Sequence, residues 1–183
     1  MKKLSEGTEI LFARLILCGF VSGGLYIFMH ELGHGIAALG AGAKITSFSL
    51  IHGYVATEGG AHGTFARQFF FAAGAIFPAL SAAVYALLYR RGEGAVFRIF
   101  SFLYEAVCVF SLLDWIVTPV LVLLRCAPAG DDCTLFLERY PYHPLTLSCF
   151  GLAAAAALVV LAFRRGIPSD FMETVQNHLD NRL

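Results

Sequence analysis

His30-Glu31-Leu32-Gly33-His34 lies inside a long apolar run, and its reading decides both the fold class and the chemistry expected of the chain. On a helix, His30 and His34 fall one turn apart on one face, where both imidazoles can reach a single Zn²⁺, and Glu31 lies beside the place where a water would be activated. The pattern fixes only three positions, so its setting has to carry part of the argument. Two imidazoles and a carboxylate are costly in a membrane-length apolar segment, which makes them functional candidates by default.

The composition agrees with a membrane setting. The chain has 183 residues, 58% hydrophobic and 14% charged, with a mean hydropathy of +0.71. That is too apolar for an ordinary soluble domain. Thirteen basic and thirteen acidic residues cancel, so bulk electrostatics give no reason to expect a nucleic-acid partner. Cys18, Cys108 and Cys149 fall in apolar runs, where a thiol packs as a small hydrophobe. Lys2 and Lys3 precede the first apolar run in the manner of a leader peptide. The run is too long for a leader core and carries the motif, so a retained transmembrane helix is expected.

Outward from the motif, 10–43 stays apolar apart from Arg14 and the motif itself. As one helix it would span roughly 50 Å, so a tilted or kinked span is expected, with Gly23-Gly24 as the loosening point and its end near Gly40 to Gly42. Residues 45–51 and 54–57 are rich in β-branched and aromatic side chains around His52-Gly53. They predict a small hairpin packed on the helices near one membrane surface. Further apolar spans follow at 65–89, 96–124 and 145–163, joined by a short turn at 90–94 and a polar loop at 125–144. In the tail, Pro168-Ser169-Asp170 reads as a helix start, Asp170 and Glu173 stand at capping-box spacing, and Phe171, Val175 and Leu179 recur every four residues. This predicts an amphipathic helix resting on the membrane surface or against the body. The fold class is therefore an α-helical polytopic membrane protein with about four transmembrane helices and a membrane-associated β-hairpin after the first. It divides into one transmembrane unit, 1–164, and a tail, 165–183.

Two histidines do not complete a catalytic zinc site, which ordinarily has three protein ligands and one open position. With four spans, the end of the third returns to the side where the first ends, so Asp131 and Asp132 can approach His30 and His34. Asp132 is taken as the third ligand. Asp131 and the deeper Asp114 are the alternatives, Asp114 with a bland reading as a hydrogen-bonded supporting group. His52, His62 and His143 lie in loops, where a solvated imidazole is ordinary.

The order of these elements resembles the site-2 protease family of intramembrane zinc metalloproteases. The similarity rests on the HELGH helix running into 41–49, on Ala73-Gly74-Ala75-Ile76-Phe77-Pro78, which is similar to the family's Ala-Gly-Pro-x-x-Asn, and on an aspartate near the end of the third span. It covers about 12–136. Pro78 stands at the family's asparagine, and Gly130-Asp131-Asp132-Cys133 stands nearest its Leu-Asp-Gly, with Leu113-Asp114-Trp115 as a competing match. The resemblance implies one Zn²⁺ per chain, held by His30, His34 and an aspartate. Glu31 would be the general base, and a transmembrane protein or peptide substrate would be held by β-addition to an edge strand. A non-proteolytic metal-binding scaffold or assembly factor on the same fold is the alternative. The positive-inside rule puts both termini in the cytosol, whereas the resemblance implies that the metal-site end faces it. A Cys126–Cys133 disulfide is expected only if their loop faces an oxidising compartment.

Overall fold

The computed structural model describes residues 6–60 and 63–180. Its elements are α1 (Glu6–Gly40), β1 (Ala43–Ser49), β2 (Tyr54–Gly59), α2 (Thr64–Leu88), α3 (Ala95–Leu123), α4 (Asp132–Leu137), α5 (Pro144–Arg165) and α6 (Ile167–Asp180). Helices α1, α2, α3 and α5 are each long and apolar enough to cross a membrane. The architecture is that of a polytopic helical membrane protein with a two-stranded antiparallel sheet after its first helix. Phe12, Phe20, Phe110 and Phe163 stand on the outer faces of the bundle, where hydrocarbon rather than water would cover them.

Small residues let α1 and α2 approach closely at the level of the histidines. A Cβ added at Gly33 would collide with the Ala73 carbonyl, so the middle of the HELGH segment packs on the α2 backbone itself. Helices α2, α3 and α5 share an interior built from Ala82, Tyr104, Cys108, Leu112, Ala155 and Leu158. Two hydroxyl pairs tie α2 to α3, Ser81 to Tyr104 and Tyr85 to Ser101, each at 2.7 Å. In such a bundle, apolar burial does not distinguish helix from lipid, so these bonds help to fix register. Pro78 is buried inside α2. Lacking an N–H, it leaves the Gly74 carbonyl without its helical donor.

The expected spans are found with shifted limits. Helix α1 starts four residues before the predicted Ile10 and runs unbroken through Gly23-Gly24, so the expected loosening there is not seen. It gives way to a turn in which Gly42 has a φ of +80°. The first strand stops at Ser49, short of the predicted Ile51, because Leu50 to Gly53 form the turn and the His52 N–H donates to Ser49 Oγ at 3.2 Å. The register runs from Ala43 opposite Gly59 to Ser49 opposite Tyr54, with an irregularity between Ile45 and Ser47 that makes Thr46 the extra residue of a bulge.

Two segments differ more from expectation. The polar stretch after α3 is not only a loop: it holds α4, capped by Asp131, whose carboxylate accepts from Thr134 N–H at 2.9 Å and Thr134 Oγ1 at 2.6 Å. Asp170 does not open the last helix. Helix α6 begins at Ile167, directly after Gly166 has closed α5 in the left-handed conformation, and Asp170 is buried, accepting from Tyr89 Oη at 2.9 Å. Of the two expected settings for α6, the body is the one observed: Phe171 stacks on Phe102 of α3, and His178 meets Arg14 of α1 at 2.9 Å.

Candidate metal centre

The site is assembled from α1 and α4 and backed by α2. His30 and His34 leave α1 on the face turned to α2, as the spacing of four predicts. The chain after α3 returns into the bundle, so that Asp132, at the first position of α4, shares a cavity with Asp114, which lies inside α3. Asp114 precedes the end of α3 by nine residues, about 14 Å of helix. Non-helical backbone at such depth is tolerated where protein surrounds it or where it lines a cavity.

Three donor atoms converge. Asp132 Oδ2 lies 3.2 Å from His30 Nε2 and 3.0 Å from His34 Nε2, and the two Nε2 atoms are 3.1 Å apart. Ligand atoms bonded at about 2.0–2.1 Å to one tetrahedral ion lie about 3.3 Å apart. The triangle is slightly tighter than that, so a small ion fits after movements of a few tenths of an ångström. The group His30, His34 and Asp132 could hold a metal ion.

The surroundings fit the same purpose. His34 is buried, and its Nδ1 donates to the Phe70 carbonyl at 2.8 Å, which leaves Nε2 as the lone-pair atom facing the site. His30 Nδ1 is buried with no hydrogen-bond partner among the described residues. Gly74 of α2 is required by the imidazoles themselves: a Cβ there would lie 2.5 Å from His34 Nε2 and 2.7 Å from His30 Cε1. Burial pushes the Asp132 carboxyl up, but the His30 and His34 imidazoles that face it outweigh that and hold the group at about 2. It is therefore an anion, the form a metal requires.

Glu31 is 5% exposed, next to His30 on α1. The hairpin turn lies over it: a Cβ added at Gly53 would be 3.9 Å from Glu31 Oε1. On another side, His30 and Asp132 border a cavity of about 330 Å³ whose wall also includes Tyr26, Ser111 and Asp114. The donor triangle is thus backed by α2 on one side and bordered by a cavity on another.

The aspartates occupy three different places. Asp132 joins the histidines, Asp131 is committed to capping α4, and Asp114 accepts from Thr118 Oγ1 at 2.6 Å while lining the cavity. His52 sits in the exposed hairpin turn and His143 caps α5, its Nδ1 accepting from Leu145 N–H at 3.3 Å. His62 lies outside the described residues. Cys126 is exposed, Cys133 is buried in a cluster with Trp115 and Leu147, and both are free thiols. The Phe70 carbonyl, a backbone group, had no sequence signal. Tyr26 and Ser111 were also missed, since each looks like an isolated polar residue until the cavity places it beside His30. Comparison with protein-family models, with curated proteins and with solved structures finds no match to this chain.

Proposed function

We propose that the protein is an intramembrane zinc metalloprotease that hydrolyses peptide bonds of membrane-embedded protein or peptide substrates. The observation that carries this reading is the convergence of His30 Nε2, His34 Nε2 and Asp132 Oδ2 within 3.2 Å of one another, beside the buried Glu31. The resemblance to the site-2 protease family leads to the same activity. Two imidazoles and one carboxylate are a donor set suited to zinc, and one ion per chain accounts for all three. When bound, Zn²⁺ supplies Lewis acidity toward a carbonyl and lowers the pKa of water.

The protein's own groups divide the remaining work. The Glu31 carboxylate takes a proton from the attacking water and delivers it to the leaving amine. Low exposure keeps it from bulk water, so proton transfer stays within the site. The bond from His34 Nδ1 to Phe70 keeps that ring in one tautomer. The sheet has the order β1-β2, so each strand keeps one edge unpaired among the described residues, available to an unwound substrate segment. Glu31→Gln tests the assignment: in protein reconstituted with a membrane-embedded substrate, cleavage falls on the order of 10²–10⁴-fold while bound zinc stays at one per chain. Cleavage at the wild-type rate in that variant overturns the reading.

Pro78 favours a second reading, a metal-binding scaffold or assembly factor without hydrolytic activity. It occupies the position where the resembled family has an asparagine and offers no side-chain hydrogen bond to a substrate backbone. Under that reading, Glu31→Gln supports full cellular function and Asp132→Ala does not.

A further inference from the structure

Tyr26 stands four residues before His30, one turn away on the same face of α1. Its ring centroid is 5.9 Å from that of His30. The ring packs on the interior shared by α2, α3 and α5, and the residue borders the cavity of about 330 Å³ that His30 and Asp132 also line. There the hydroxyl faces Ser111 of α3. Ser111 Oγ donates its own hydrogen to the Cys108 carbonyl at 2.8 Å, so Tyr26 is the donor of the two. Packing alone would be served by phenylalanine, and the hydroxyl is the polar handle that needs a reason.

The cavity supplies one. Asp114, Asp131 and Asp132 all stand at its wall, and each has a partner without Tyr26: Thr118, the start of α4, and the two histidines. A carbonyl oxygen that gains negative charge in a space lined by carboxyl groups is opposed by them, so a donor aimed into that space has its greatest effect there. Glu31 does not border this cavity and lies beneath the hairpin turn. The proton acceptor and the Tyr26 donor therefore flank the His30, His34 and Asp132 triangle on different sides. Hydrolysis uses two such sides, one for the attacking water and one for the oxygen on which charge collects.

We propose that Tyr26 is a catalytic residue whose hydroxyl donates a hydrogen bond to the oxygen of the scissile carbonyl; this rests on the hydrolytic reading above. As the water oxygen bonds the carbonyl carbon, the π pair moves onto the carbonyl oxygen and Glu31 takes the water proton. When the C–N bond breaks, its pair leaves with the nitrogen, which receives the proton from Glu31, and the carbonyl re-forms. Tyr26 keeps its own proton throughout. A charged oxygen displaces Ser111 as the acceptor, because a hydrogen bond to an ionised group is about twice as strong as one to a neutral group. The contact is thus strongest in the transition state, and its loss falls on kcat rather than on KM.

The test uses the full, zinc-loaded chain in lipid bilayers and a set of leucine-rich transmembrane peptides broken at the centre by glycine. Each peptide is paired with a copy in which a phosphinate, a tetrahedral anion, replaces one central peptide bond. For the peptide that the wild type cleaves, Tyr26→Phe is expected to lower kcat about 10²-fold, with KM changed less than about twofold. The same variant should weaken binding of the phosphinate copy about as much. Zinc content should stay at one per chain, as should affinity for the uncleaved parent peptide measured with Glu31→Gln present. Phosphinate affinity unchanged in Tyr26→Phe overturns the inference, since the hydroxyl is then idle. Loss of zinc, or equal weakening of both peptides, also overturns it by making Tyr26 a structural support. These results leave wild-type cleavage in place and strike this inference alone. If no peptide is cleaved and no phosphinate copy binds better than its parent, the hydrolytic reading falls and the inference with it.

Discussion

The two ends of the bundle treat their polar groups in opposite ways. Where α1 and α3 end, His30, His34 and Asp132 turn their donor atoms toward one another, 3.0 to 3.2 Å apart. Where α5 ends, polar groups find partners in other elements: Tyr89 Oη bonds Asp170, Arg98 pairs with Glu173, and Arg165 donates to the Ala86 and Tyr89 carbonyls at 3.0 and 2.8 Å. Arg165 thereby adds a second donor to the Ala86 carbonyl, which the Tyr89 N–H already reaches at 3.2 Å, and supplies one to the Tyr89 carbonyl just past the end of α2. One end gathers donor atoms that could hold an ion, while the polar groups of the other already have partners within the fold. Substitutions at the first should change metal content and activity with little effect on folding, and those at the second should do the reverse.

The largest effect is expected for Asp132→Ala, which removes one of three ligands. Metal analysis of the purified protein should find zinc lost and no cleavage, whereas Asp131→Ala and Asp114→Ala keep zinc near the wild-type level. Loss of zinc from Asp114→Ala alone would move the third ligand into α3. Glu31→Gln should follow, lowering cleavage on the order of 10²–10⁴-fold, the usual contribution of a positioned acid–base group, with zinc retained. Gly74→Ala comes next. Its methyl would press on both imidazoles, and a zinc affinity about 10–100-fold weaker is expected, as when a group that orients metal ligands is disturbed. Competition with a chelator measures it, and unchanged affinity would show that α2 does not hold the rings.

How much of this was legible in the sequence depended on whether the relevant physics is local. The histidine pair was readable because a spacing of four on a helix is a covalent consequence of the chain. The choice among aspartates was half readable. Topology brought Asp131 and Asp132 to the right end of the bundle but did not separate them; that Asp131 caps α4 and leaves the next side chain free is seen only once the helix is. Gly74 stood out as part of a motif, but its reason, the approach of two imidazoles from another helix, is tertiary. Asp170 was misread because the capping-box spacing with Glu173 is a local pattern, while its actual partner, Tyr89, lies 81 residues away. Gly166 and Pro168 were the better signals there, a left-handed terminator and a proline within the first helical turn.

The completed end gives the smaller effects, and their ranking tests whether burial or proximity governs them. Asp170→Ala leaves the Tyr89 hydroxyl buried without its acceptor, and a loss of about 1–3 kcal/mol is expected. Hydrogen exchange should show it as faster opening of α6, with zinc content unchanged. Arg98→Ala breaks a pair of similar length, 3.2 Å, but the Glu173 side chain is 59% exposed. Solvent screens such a pair, so the loss should stay below about 1 kcal/mol and shrink further in high salt. If Arg98→Ala opened α6 more than Asp170→Ala, the surface pair rather than the buried one would be the latch. The contrast between the ends would then rest on charge pairing instead of on burial.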